Sequence, residues 1–172
     1  MTRILGIDPG LQKAGWGIVE QHGSQLKHIA HGIIKPPQKE DMGVRLVFLF
    51  KELCAVITQY APQETAVEEV FLNKNPGSTL KLGMARGVCM LAPSHQGLSV
   101  AEYSANKIKK AVVGVGHADK NQMEMMVGVL LPGCGAQADA ADALGVAICH
   151  GHLRQLNTMD VKDDCKTEGY SR

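Results

Sequence analysis

Four acidic residues stand where carboxylates are uncommon. Asp139 and Asp142 lie three apart in "QADAADAL" (137–144), inside a run that otherwise reads as a buried helix. Residues i and i+3 of a helix share a face, and a buried helix face normally excludes unpaired charge because desolvating it is costly. Asp8 closes the apolar run "RILGID" (3–8) just before Pro9-Gly10. Glu68 sits near the end of another apolar run, "ETAVEEVF" (64–71), where neighbouring Glu69 is an equal candidate by pattern. Singly, each has a structural reading: a common Asp-Pro-Gly turn, a surface glutamate, an exposed helix face. Together they point to a cluster, because strand ends in α/β sheets are where ligands commonly sit. Alanines 138, 140, 141 and 143 keep the helix low enough to approach such a sheet. Clustered carboxylates raise one another's pKa and need a compensating cation. An all-oxygen donor set without clustered Cys or His favours Mg²⁺ or Mn²⁺ over Zn²⁺. Two such ions would activate a water and stabilise the leaving oxygen in phosphodiester hydrolysis.

The elements that must position these groups follow from periodicity. Residues 3–8, 14–21 and 26–35 read as three antiparallel strands, and 43–60 shows apolar residues at helical spacing. A strand over 64–71 precedes a helix from about 77 into the low 90s, with Pro93 marking its end or a kink. A strand over 98–103 leads to a short helix capped by Ser104, then to helices over 118–131 and 137–154. Three antiparallel strands followed by alternating helix and strand predict a mixed α/β sheet with helices on both faces. Residues 155–172 have little apolar content and are expected to form a disordered tail, leaving one domain over 1–154.

Composition narrows the class. With 172 residues, 45% hydrophobic and 20% charged, the chain is ordinary for a soluble globular protein. No apolar run is long enough for a membrane span, and "MTRILGIDPG" is already strand-like rather than a signal peptide. Five cysteines without a CxxC pair suit reduced thiols in a cytoplasmic protein. The net charge of +1 conceals an asymmetry. Residues 73–120 carry Lys74, Lys81, Arg86, Lys107, Lys109, Lys110 and Lys120 against only Glu102 and Asp119. Such a field suits a polyanion partner, although on charge alone a solvated lysine-rich surface is the better reading.

Four segments carry a resemblance. "ILGIDPGLQKAGWGIV", "AVEEVFLNKNPGSTLKLGMARGV", "KIKKAVVGVGHADKNQ" and "QADAADALGVAICH" resemble, in order, the signature segments of the RuvC family of bacterial Holliday junction resolvases. The resemblance runs from residue 3 to about 154. It implies a ribonuclease H-like fold, a homodimer, and Mg²⁺-dependent nicking of four-way junction DNA in recombination and repair. It implies also a branch-migration complex of RuvA and RuvB as partner. It carries the catalytic, metal-holding carboxylates onto Asp8, Glu68, Asp139 and Asp142, selecting Glu68 over Glu69. It points to Lys109 and Lys120 as basic residues near the scissile phosphates and to Phe71 as a junction-facing aromatic wedge. On this reading Lys74, Lys81, Arg86, Lys107 and Lys110 track phosphates, so affinity falls with salt. Arg86 also has a structural reading, as a helix residue rather than a phosphate contact.

The chain departs from the family pattern at Gly128, where a basic residue is common, and at Pro93, which shortens a helix usually continued. Neither touches the acidic set. "CHGH" (149–152) reads as a helix end rather than a metal site, and His117 as a surface-loop histidine. Two other classes compete. A nucleotide-binding fold of the actin and hexokinase type also opens with a strand and an Asp-x-Gly turn, but needs a second lobe that 172 residues do not provide. A non-catalytic junction-binding module would require a broken acidic set, whereas all four positions are filled.

Overall fold

Alternation along the first strand decides which residues see which layer. In the computed structural model, which describes residues 1–70 and 75–164 with side chains through 154, β1 is Thr2–Asp8. Ile4, Gly6 and Asp8 point to one face of the sheet, and Leu5 and Ile7 to the other, the period of two expected of a strand. Ile4 accordingly belongs to one core cluster, Leu5 and Ile7 to another. Antiparallel β2 (Ala14–His22) and β3 (Gln25–Ile34) continue the sheet on one side. Parallel β4 (Glu64–Glu68) and β5 (Val100–Tyr103) extend it on the other, giving the order β3-β2-β1-β4-β5. This is the five-stranded mixed sheet that the sequence predicts.

Five helices cover the two faces among the described residues. α1 (Met42–Tyr60) and α2 (Pro76–His95) form one layer, whose Leu49, Leu53 and Ala85 pack with Leu5, Ile7, Ile18 and Val67. α3 (Ala105–Val113), α4 (Lys120–Leu130) and α5 (Ala138–Asp164) form the other. There Ile108, Met123, Leu144 and Ile148 pack with Ile4, Val19 and Ala66.

Local chemistry explains most boundaries. Ser104 caps α3 by accepting from the Lys107 amide at 3.4 Å, as its sequence position predicts. Asp119 and Gln122 form a reciprocal capping box at the start of α4. Pro93 lies inside the last turn of α2, where its missing N–H removes one bond near a helix end that stops at His95 anyway. The Pro93 carbonyl then accepts from the amides of Gln96 and Leu98, closing the helix. β4 ends at Glu68 and β5 begins at Val100, each shorter than the apolar runs suggest. α5 continues past residue 154 to Asp164, because no Pro or Gly interrupts the run after Gly151. "CHGH" is therefore inside the helix: His150 bridges the Tyr103 hydroxyl and the Glu64 carboxylate, at 2.8 Å each, and ties α5 to the sheet. No helix among the described residues is long and apolar enough to cross a membrane. Cys54, Cys89, Cys134 and Cys149 are free thiols.

Candidate active site

Three glycines bring α5 onto the sheet. A Cβ on Gly15 would lie 2.0 Å from the Asp139 carbonyl oxygen, and one on Gly6 would lie 2.2 Å from that of Ala143. One on Gly17 would meet the Leu144 side chain at 2.6 Å. Gly6 pairs with Gly17 and Asp8 with Gly15, so the bare strip lies beside the first carboxylate. The alanines that keep the helix low are half of the contact. The glycine floor under them is the half that the sequence reading overlooked, and the signal was available as Gly6, Gly15 and Gly17 on the faces that alternation assigns.

The result is a cluster. Asp8, Asp139 and Asp142 each offer a carboxylate oxygen within 4.8 Å of the others. Glu68 lines the same cavity of about 330 Å³ with Lys109, Lys120 and Asp119. Glu68 follows Ala66 by two residues on β4, which turns it to the α5 face; Glu69 lies beyond the strand's end. Strand geometry thus separates the two glutamates that pattern alone left equal.

Burial and like charge act together on these groups. Asp8 is pushed up to about 8, first by desolvation and then by Glu68, Asp142 and Asp139, with Lys120 opposing. Glu68 is pushed up to about 7, by burial and then by Asp142, with Lys109 and Lys120 opposing. Burial also raises Asp142, against Lys120, whose ammonium lies 3.9 Å from its carboxylate. Two lysines do not neutralise the set. An oxygen-only donor group held close together, with its charged form disfavoured, fits a hard divalent cation.

The start of α5 is held by a residue the sequence reading missed. Ala138 has a positive φ of 47°, and its amide donates to the Glu124 carboxylate of α4 at 2.8 Å. That bond fixes the turn immediately before Asp139. No sequence signal separates Glu124 from an ordinary exposed helix glutamate.

The basic residues divide by location. Lys109 and Lys120 are in the acidic cleft. Lys107 and Lys110 line a separate cavity of about 570 Å³ with His117, and the Lys107 ammonium stands 5.3 Å from the centre of the Tyr103 ring. Lys81 lines a third cavity, of about 600 Å³, that shares Asp139 with the acidic cleft. Arg86 is paired with Glu102 of β5, which is its structural alternative: a tie between α2 and the sheet. Phe71 and Lys74 lie outside the described residues. Gly128 faces open space on α4.

Comparison with known proteins agrees with this arrangement. The family model described as "Crossover junction endodeoxyribonuclease RuvC" matches residues 4–150. A protein of that name from Maricaulis maris is 52% identical over 92% of this chain and 95% of its own. Another from Xanthobacter autotrophicus is 55% identical over 88% and 90%. Among solved structures, T. thermophilus RuvC in complex with Holliday junction substrate superposes with a TM-score of 0.84 at 27% identity, over 92% of this chain and 98% of that one.

Proposed function

From the premise that the chain belongs to the RuvC family, we propose that it is a structure-selective endonuclease resolving four-way DNA junctions by paired nicks, in homologous recombination and DNA repair. The observation that carries this reading is the convergence of Asp8, Asp139 and Asp142 within 4.8 Å, with Glu68 in the same cleft. These four carboxylates would hold Mg²⁺, with Mn²⁺ as a substitute, as two ions per site. When bound, the ions supply an activated water and charge stabilisation at the leaving oxygen of the phosphodiester.

The chain's own residues do the rest. Asp8 occupies the middle of the set, where burial first and its acidic neighbours second favour the protonated form in the metal-free protein. Glu68 is fixed by β4, and Asp139 and Asp142 by α5, so donors from three elements keep their spacing without reorganising. Lys109 and Lys120 lower the carboxylate pKa values and present positive charge to the phosphate undergoing cleavage. Lys74, Lys81, Lys107 and Lys110 extend that field along the backbone, with Phe71 entering at the junction centre. Arg86, held by Glu102, supports α2 from which Lys81 projects.

Two symmetric nicks require two sites, which an isologous homodimer supplies. Val44, Val47 and Phe48 on α1, and Leu80, Met84 and Leu91 on α2, are exposed apolar residues on adjacent helices, and this stripe is the surface that pairs two copies. A branch-migration complex of RuvA and RuvB delivers the junction in the cytoplasm. Residues 1–154 form the nuclease unit; the disordered tail expected from residue 155 does not begin there, since α5 runs on to Asp164.

The test is cleavage of a mobile four-way junction beside a linear duplex of the same sequence, with and without Mg²⁺. Nicks confined to the junction and dependent on the ion are expected. Equal cutting of both substrates would make the protein a general nuclease. Sound junction binding without cleavage in either Mg²⁺ or Mn²⁺ would make it a non-catalytic module.

A further inference from the structure

The cavity of about 600 Å³ beside the acidic cleft has its own chemistry. Three cations line it from three elements: Lys13 from the turn after β1, Arg45 from the first turns of α1, and Lys81 from α2. The acid on its wall is Asp139, which already belongs to the carboxylate cluster.

Arg45 is the informative member. Its Nη2 donates to the Leu11 carbonyl at 2.9 Å, which anchors the guanidinium. Its Nε is buried and has no hydrogen-bond partner, as is also true of Arg86, so it is the missing carboxylate that sets Arg45 apart. Among the described residues no carboxylate pairs with Arg45, Lys13 or Lys81, in contrast to Arg3, Arg86 and Arg154, each of which does have one. A half-buried guanidinium without a counter-anion is unfavourable by itself. Its planar fork is suited to a phosphate. Lys13 and Lys81 are exposed and free to close over the same ligand.

We propose that Lys13, Arg45 and Lys81 form a phosphate subsite that takes a DNA backbone phosphate flanking the one that is cut. The proposal rests on the endonuclease reading and extends it. A cavity that shares Asp139 with the acidic cleft places its occupant against the reacting phosphodiester, which favours the continuing strand over a free anion. Arg45 thereby couples two tasks, since the same guanidinium that would meet the phosphate braces the turn that carries Lys13.

The test is equilibrium binding of a labelled four-way junction, without divalent cation, across a salt series. Lys13→Gln and Lys81→Gln change exposed side chains and leave folding intact. Each is expected to weaken binding and to flatten the slope of log affinity against log salt, and the double variant by roughly 0.7–0.9, the share of one phosphate. Arg45→Gln is expected to do the same and Arg45→Lys to restore the slope. A merely structural Arg45 would lower the melting temperature and leave the slope unchanged. A methylphosphonate at the flanking position should remove the difference between wild type and Lys13→Gln. Unchanged slopes in both lysine variants, with the wild type still binding and cutting junctions, would overturn the subsite alone. A difference between wild type and Lys13→Gln that persisted with the methylphosphonate in place would put the lysine on another phosphate and overturn the proposal. Failure of the wild type to bind or cut junctions would remove the endonuclease reading and the subsite with it.

Discussion

The two faces of the sheet both carry a buried apolar core, but around the acidic cluster the spacing of helix and sheet is set in a different way. On the α1–α2 face, Leu5, Ile7 and Ile18 meet Leu49, Leu53 and Ile57, all nearly or fully buried. Bulky, branched side chains there remove apolar area from water, and neighbours can partly adjust to a change in shape. On the α5 face, around the acidic cluster, glycine meets backbone. Gly15 and Gly6 leave room for the Asp139 and Ala143 carbonyls, so the separation of helix and sheet is set by main-chain atoms that cannot rotate away. Both faces bury apolar area and so contribute to folding, but only the glycine strip of the α5 face also sets the distance between two strands' carboxylates and a helix's.

This contrast gives two substitutions of opposite signature. Gly15→Ala would put a methyl 2.0 Å from the Asp139 oxygen, lifting the start of α5 and moving Asp139 away from Asp8. Misplacement by about 1 Å is enough for a rate loss on the order of 10²-fold, so junction nicking should fall at least that far. Circular dichroism and junction binding should change little. Near wild-type nicking by this variant would mean that the glycine floor does not set the site. Leu53→Ala, on the other face, should lower unfolding free energy by about 2–5 kcal/mol in a denaturant titration. Its kcat at a temperature where it remains folded should stay within a few-fold of wild type. A large loss of kcat there would erase the division between the faces.

A smaller effect comes from the ions. In the metal-free protein Asp8 rises from 3.8 to about 8 and Glu68 from 4.5 to about 7. Between the ordinary and the raised values the folded state holds more protons than the unfolded one. Stability from these two groups is therefore full below about pH 4 and is lost as pH rises towards about 8. A divalent cation opposes that loss, and at low pH it must first displace protons. Mg²⁺ should accordingly raise the melting temperature more at about pH 8.5 than at about pH 5, and Asp8→Asn should flatten the metal-free trend. An equal Mg²⁺ effect at both pH values would indicate that the ions bind elsewhere.

Much of the site was legible in the sequence because each carboxylate carried a positional clue. Asp8 ended an apolar strand before Pro9-Gly10, and Asp139 and Asp142 shared a helix face among alanines. The choice between Glu68 and Glu69 needed the resemblance at first, although strand alternation from Ala66 makes the same choice physically. The sheet order was readable from three adjacent strands followed by helix crossovers. What escaped was pairwise. Gly15 gains its meaning only when β2 is registered against Asp8 and α5 is laid across both. Glu124 and Arg45 are ordinary helix residues until tertiary contact places one under the Ala138 amide and the other on the wall of a cavity next to the acidic cleft with no carboxylate paired to it. Spacing along a chain cannot report such encounters.

The most direct measurement is nicking of a synthetic four-way junction by Asp142→Asn beside the wild type at saturating Mg²⁺, with junction binding measured in the same samples. Asp142 is one of the three clustered carboxylates, and the amide keeps its shape, so the substitution removes a donor charge without disturbing the glycine floor. Binding should be retained, and the nicking rate should fall by roughly 10²–10³-fold, the scale of losing one preorganised charge-stabilising group. Nicking at the wild-type rate would contradict the assignment of this carboxylate, and with it the acidic cluster as the catalytic centre.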